Sequence, residues 1–398
     1  MFQHIVPIDS QVRPLPYPFQ GAMAISNDIE LASMDYFDSL MKFLNTTDET
    51  PLGRGLGLEV TSSCFFFAAN AATFSYLEGA EANAARSAAS GRMDEYLTSG
   101  WFDTNHAFGD FDGVGGFTRQ HAVQCYDAMA RLGVTLEVFT NHGSAENVQN
   151  IGRDADYHHG DIDGDAAYHA DLLGANGVRY IWTDSMITEH VGGLKGLTAR
   201  LLRPPEKRLL HDTILQDGSR FRGFTRLRST GPAAPNLSSL RHQVGQVRWS
   251  RLYASHGAIV LYQHLGILDK HGGQCRPASL EALRSQPKVY LEPFRFLKRE
   301  RDESRLWVAG LRRLLAYAEM VESVRLCWDE DQKCYHVSSA KPAAVQRGTF
   351  QGLTVYTDAR ETLRLVHGGQ ELPLRQNGPD ETGQRSASVP IDPLESIW

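Results

Sequence analysis

The stretch GAMAISNDIE (residues 21–30) carries the fold reading: a short run of small and apolar residues, GAMAIS, ends abruptly in Asn27, Asp28 and Glu30. A run this short, closed by polar residues, has the signature of a buried strand and its exit. Behind it, LASMDYFDSLMKFLNT (31–46) sets Met34, Phe37, Leu40, Met41 and Leu44 on one helical face. The pattern then repeats. GLGLEVTSSCFFF (55–67) reads as a strand and its exit, EANAARSAASGRMDEYLTSG (81–100) as an alanine-rich helix stopped by Gly100, and WFDTNH (101–106) as a strand. FTRQHAVQCYDAMARLG (117–133) is a helix, VTLEVFTNHG (134–143) a strand, DAAYHADLLGANG (165–177) a helix and VRYIWTDS (178–185) a strand. QVGQVRWSRLYASHG (243–257) is helical and AIVLYQH (258–264) a strand. Strand and helix in alternation imply an α/β fold, a parallel sheet or barrel wrapped in helices.

Polar residues recur where these strands end: Asn27 and Asp28, His106, Asn141 and His142, Asp184, and His264. Parallel α/β architectures bind ligands at the carboxyl ends of their strands. The spacing therefore predicts one site assembled from distant segments. Residues 186–241 are less regular and read as an excursion over the sheet. SRLWVAGLRRLLAYAEMVESVRL (304–326) reads as one long helix. Beyond it GLTVYT, TLRLVHG and ELPLRQ are short alternating strands, so 327–398 reads as a small β module after a main domain over 1–326, with QNGPDETGQRSASVP (376–390) as a loop.

The chain has 398 residues, 42% of them hydrophobic and 22% charged, an ordinary globular composition with material for a large core. A net charge of −7 without a long basic run argues against a nucleic-acid partner. The N-terminal residues lack the charged and apolar regions of a signal peptide, and no stretch has the length of a spanning helix. Cys64, Cys125, Cys275, Cys327 and Cys334 are odd in number and scattered without a CxxC pair, which fits reduced thiols in a cytoplasmic protein.

Within GWFDTNHAFGDFDGVGG (100–116), His106 and Asp110 stand four apart, a spacing at which both can reach one ion. Imidazole with carboxylate suits zinc and other divalent transition metals. Asp28 and Glu30 are candidate acids, although Asn27 or Asp28 would also serve as a helix N-cap. In TNHGSAENVQN (140–150), Asn141, His142, Asn147, Gln149 and Asn150 offer the donors and acceptors that sugar hydroxyls need; the alternative is a turn built from Asn and Gly, but the density of five such groups favours function. Asp184 closes the next strand. His264 is a candidate general acid, or a core histidine. Asp161, Asp163 and Asp165 alternate as in a calcium loop, but Ala166 and Leu172 fill the positions that need glycine and glutamate; Asp165 reads as a helix N-cap. No phosphate loop, dinucleotide fingerprint or GxSxG elbow is present.

Taken in order, residues 20–266 resemble the motif series of the polysaccharide deacetylase superfamily (NodB homology, carbohydrate esterase family 4). ISNDIE stands where that family has its Asp-Asp or Asp-x-Asp/Glu motif. GLEVTSSCFFF resembles its second strand. HAFGD has the spacing of its His-Ser/Thr-x-x-His motif, with Asp110 in place of the second histidine. FTNHGS stands at the third motif without its arginine, IWTDS at the fourth, and GAIVLYQH at the last, whose histidine is the acid. Two alignments of the first motif are open: one puts Asn27 in place of the base, the other makes Asp28 the base and Glu30 a ligand and leaves the set complete. Arg179 or His142 could stand in for the missing arginine.

The resemblance implies a distorted (β/α) barrel with the small C-terminal β module appended. It also implies a divalent metal ion, zinc for preference, held by His106, Asp110 and Glu30. Asp28 is then the base and His264 the acid in hydrolysis of an N-acyl group on a carbohydrate or glycoconjugate, with Asn141, His142, Asn147, Gln149 and Asp184 around the substrate. Two other functions fit the residues: a glycoside hydrolase or other sugar-processing enzyme using Asp28 and Asp110 without metal, and a carbohydrate-binding protein without catalysis.

Overall fold

The computed structural model describes residues 2–184, 186–188, 208–228, 234–271, 274–339, 350–357 and 363–398. Of the irregular segment 186–241, residues 189–207 and 229–233 lie outside the described residues.

Two six-stranded sheets carry the candidate site. In the first, the order is Met186–Thr188, Arg226–Arg228, Gly257–Gln263, Gly21–Asn27 and Leu306–Val308, all parallel, with Gln3–His4 added antiparallel to Gly257–Gln263. In the second, the order is Leu210–Ile214, Arg220–Phe224, Tyr180–Trp182, Val138–Thr140, Phe102–His106 and Ser62–Cys64, parallel except for Leu210–Ile214. Register levels the strand ends: Asn27 lies opposite Gln263, while His106 and Trp182 both lie opposite Thr140. The polar residues that follow therefore emerge together, as the spacing predicts.

The expected (β/α) barrel is not what forms. The strands are distributed over seven separate sheets, and the described residues close no barrel. Among the described residues each large sheet ends in two open edges. At one seam the chain passes between the sheets, with only Thr225 separating Arg220–Phe224 from Arg226–Arg228. At the other seam a side chain replaces a ladder. Asn27 Nδ2 donates to Ser62 Oγ at 2.8 Å, and Asn27 Oδ1 accepts from the Leu265 amide at 2.8 Å. Closure depends on strand pairing, which apolar periodicity does not encode.

Every residue of Gly21–Asn27 is buried, because a parallel sheet is covered on both faces. Successive side chains point to opposite faces. Met23 and Ile25 enter a core with Leu40, Phe65, Phe102 and Phe108. Ala22 and Ala24 enter a second core with Val260, Trp307 and Leu314, and with Val337, Phe350, Leu353, Val355 and Leu365 from the C-terminal strands.

Several elements differ from the sequence expectation. The 304–326 run is not one helix: Leu306–Val308 is a fully buried strand beside Gly21–Asn27, and Gly310 caps a helix confined to Leu311–Val321. The alanine-rich helix shrinks to Ser90–Ser99. The 376–390 tail is not wholly a loop, since Arg385–Ser388 pairs with Thr354–Thr357 and Arg375–Gln376. Asp165 caps a turn, its carboxylate accepting from the Ala167 amide, and the helix begins only at Ala170. All five cysteines are free thiols. No helix among the described residues is long and apolar enough to cross a membrane.

Asn27 is thus a structural joint. Asn27→Ala leaves Ser62 Oγ without its donor and the buried Leu265 amide without an acceptor, at about 2–4 kcal/mol for the two. Urea unfolding measures that loss as a lower midpoint with an unchanged slope.

Candidate functional site

The 102–106 strand ends at His106, and the chain reverses at once through Ala107 and Phe108, whose φ angles are 49° and 63°. Such left-handed conformations cost of order 1–3 kcal/mol each and persist only where packing imposes them. The Phe108 ring supplies that packing, within 5.7 Å of the Phe117, Phe139, Tyr126 and His169 rings. Gly109–Asp110 then pairs with Phe67–Ala68. A Cβ at Gly109 would lie 2.5 Å from the Phe67 carbonyl oxygen, so only glycine lets this segment approach.

The loop after the 138–140 strand is held by amides acting as surrogate backbone. Asn141 Oδ1 accepts from the Ile151 amide at 3.0 Å and its Nδ2 donates to the Ile151 carbonyl at 2.8 Å. Asn150 does the same for His142, accepting from its amide at 2.9 Å and donating to its carbonyl. Asn147 Oδ1 accepts from the Phe111 amide at 3.0 Å, and Gln149 Nε2 donates to the Gly109 carbonyl at 2.9 Å. Asn141, Asn147 and Gln149, candidate sugar-binding residues, are almost fully buried and spend these groups on the loop. Asp184 accepts from Asn141 Nδ2 at 3.2 Å, keeps a third of its side chain exposed, and lies 3.8 Å from His158. Burial raises the Asp184 pKa, against the hydrogen bond from Asn141.

Between these loops the charged residues meet. Asp28, fully buried, is gripped by Arg226, with NH1 2.8 Å from Oδ2 and NH2 3.3 Å from Oδ1. The guanidinium is itself buried against Trp182 and Tyr262, 4.1 Å and 4.7 Å from ring centroids that lie 5.5 Å from each other. A planar cation of this shape fits both a carboxylate edge and two aromatic faces. His106 Nε2 lies 3.1 Å from the Asn141 carbonyl and 3.4 Å from Asp28 Oδ2. Glu30 stands between two histidines: Oε1 is 3.1 Å from His142 Nδ1 and Oε2 is 2.8 Å from His264 Nε2. His264 Nδ1 donates to the Pro235 carbonyl at 2.6 Å. Phe65 stacks on His106 at 4.7 Å and presents its face or edge to His142 at 5.2 Å.

One donor atom each from Glu30, His106 and His142 lies within 4.8 Å of the others, as do atoms from Asp28, Glu30 and His264, and from Asp110, Asp112 and His142. These clusters are close enough to bind a metal ion. A tetrahedral ion with bonds of about 2 Å separates its donors by roughly 3.4 Å, so the first set needs only a modest contraction. His106 and Asp110, paired by sequence spacing, fall in different sets, with His142 common to both. Arg179 does not reach Asp28; it pairs with Glu137 and Glu319.

Burial pushes the His106 pKa down to about 4, against the pull of Asp28, so the ring is neutral. With Nε2 donating to the Asn141 carbonyl, Nδ1 carries a lone pair and has no hydrogen-bond partner among the described residues. A neutral imidazole with one nitrogen unspent is the state that binds metal. For His142, burial opposes charge, but hydrogen bonds to Asp110, Asp112 and Glu30 lift its pKa well above the usual value. His264 is raised as well: burial works against it, while Glu30 holds its proton. Glu30, despite burial, is held well below the usual carboxylate range, chiefly by His264 and then His142. The donor set fits a cation: Glu30, Asp110 and Asp112 face His142, and Glu30 also faces His264, while Arg226 pairs with Asp28.

Comparison with family profiles, with curated proteins and with solved structures found no match.

Arg226, Phe65 and Asp112 are the residues that sequence reasoning missed. Arg226 lies in GFTRLRS (223–229), inside the irregular segment, and its signal is an arginine flanked by strand residues. Because His142 must lose a proton to bind metal, uptake is opposed by acid. Zinc affinity measured by competition therefore rises from pH 6 to pH 8, with proton release visible in the buffer dependence of the calorimetric heat. His106 gives the metal-free fold an acid sensitivity of its own. A histidine buried neutral contributes stability above its unfolded pKa near 6.5 and loses it as the pH falls toward about 4. His106→Phe removes that part of the acid dependence in denaturant titrations.

Proposed function

We propose that this chain is a metal-dependent hydrolase that removes an N-acyl (acetyl) group from a sugar or glycoconjugate. One observation carries the proposal: Glu30, His106 and His142 converge beside an arginine-gripped Asp28 and a His264 paired with Glu30. Three protein donors, with the fourth position left to water or substrate, is the arrangement of catalytic rather than structural zinc sites. Two nitrogens and one carboxylate oxygen suit zinc. A cation held there would supply Lewis-acid polarisation of an acyl carbonyl and a lowered pKa for water.

The remaining chemistry belongs to the chain. Asp28 is an acceptor whose orientation Arg226 fixes through both carboxylate oxygens, a geometry suited to taking a proton from water. His264 faces the Pro235 carbonyl with Nδ1 and Glu30 with Nε2, and Glu30 favours its protonated form, so Nε2 is placed to give a proton to a leaving amine. The resemblance to polysaccharide deacetylases suggests the amide of an N-acetylated sugar as substrate. Arg226 supports it by giving Asp28 the arginine that the third motif lacks, from a different strand. Asn27 is accounted for by the seam between sheets, which favours Asp28 as base and Glu30 as ligand.

The test is metal content and acetate release on N-acetylated amino-sugar oligomers by zinc-loaded protein. Asp28→Asn is expected to lower kcat by about 10²–10⁴-fold with zinc retained, whereas Glu30→Gln loses zinc. A wild-type protein that binds no stoichiometric metal overturns the proposal. So does an Asp28→Asn variant with unchanged turnover.

A further inference from the structure

His142 presents its two ring nitrogens to opposite sets of carboxylates. Nδ1 faces Glu30 Oε1 at 3.1 Å, on the side of His106. Nε2 faces Asp110 Oδ1 at 3.3 Å and Asp112 Oδ1 at 3.6 Å. We infer that Asp110 and Asp112 are positioning residues, not ligands: they hold the Nε2 proton of His142 and thereby aim Nδ1 at the ion. The inference rests on the proposed metal centre of Glu30, His106 and His142.

Metal-binding histidines commonly donate their second ring N–H to a carboxylate, which fixes the tautomer, orients the ring and raises its basicity. The loops here are built for that task. Asp110 Oδ1 accepts from the Asp112 amide at 2.9 Å, which ties the two acids together. Asp112 Oδ1 accepts from Ser144 Oγ at 2.6 Å and from Asn147 Nδ2. That oxygen already takes two hydrogen bonds, so it is placed to receive an N–H better than to bind a cation. Asn147 is anchored in turn by the Phe111 amide. Asn150 pins the backbone of His142 at both N–H and C=O, and Phe65 meets the ring itself. The amide-rich loop and the glycine-bearing 109–112 segment thus have one shared product, a histidine whose ring cannot turn.

The competing use of Asp110, Asp112 and His142 is a second cation site. It would require His142 to bind an ion through each nitrogen at once, with neither proton left.

The experiment titrates metal-free protein with zinc against a chromophoric chelator, reading stoichiometry and affinity for wild type, Asp112→Asn, Asp110→Asn and the double variant, with Asp112→Glu as the conservative control. The expected result is one equivalent of zinc in every case. Affinity falls about 10–100-fold in the double variant, in part in Asp112→Asn, and is restored toward wild type in Asp112→Glu. The unfolding temperature of metal-free Asp112→Asn stays at the wild-type value, because half of that side chain is exposed. Wild-type affinity in both Asp112→Asn and the double variant overturns the inference alone. Two equivalents in wild type falling to one in Asp112→Asn also overturns it, in favour of a second ion. No zinc bound by wild type removes the metal centre itself.

Discussion

A buried carboxylate is the constraint around which the site is arranged. Asp28 has no solvent exposure, and an unpaired charge in such a place would cost several kcal/mol even after relaxation. Arg226 offsets that cost with two hydrogen bonds, and its guanidinium rests over the Trp182 and Tyr262 rings. Asp28, Arg226 and Tyr262 belong to strands or strand exits of the first sheet and Trp182 to the second, so the Arg226–Trp182 contact joins the sheets beside Thr225. Around that fixed pair the remaining acids are each matched to histidine: Glu30 to His142 and His264, Asp110 and Asp112 to His142.

The strand exits were legible because apolar runs stop abruptly at polar residues, and parallel register brings those stops level. Asp28, Glu30, His106, His142 and His264 were visible for that reason, and they do converge. What was not legible depends on tertiary pairing. Spacing joined His106 to Asp110, but the positive φ of Ala107 and Phe108 turns the chain so that Asp110 meets the far nitrogen of His142 instead. Arg226 was invisible because its partners, Asp28, Trp182 and Tyr262, lie 198, 44 and 36 positions away in the sequence. The barrel expectation followed from alternation alone, and alternation does not say whether edge strands meet. Leu306–Val308 was hidden inside a helical pattern because its three apolar residues continue the periodicity of the helix that Gly310 starts.

The amides of the 141–151 loop illustrate how one composition supports two functions. Asn and Gln in number suggested hydroxyl recognition, but a buried amide also substitutes well for a peptide group, and here Asn141 and Asn150 each complete a two-bond pairing with backbone. The result is rigidity next to a neutral His106 with one unspent nitrogen. Rigid placement of donors is what a metal centre needs from its surroundings.

The most direct test of the account is the anomalous diffraction of a zinc-soaked crystal. The account predicts a single peak bounded by Glu30, His106 and His142 Nδ1, with His142 Nε2 still turned toward Asp110 and Asp112. A peak seated between Asp110 and Asp112, or none near Glu30 at saturating zinc, contradicts it.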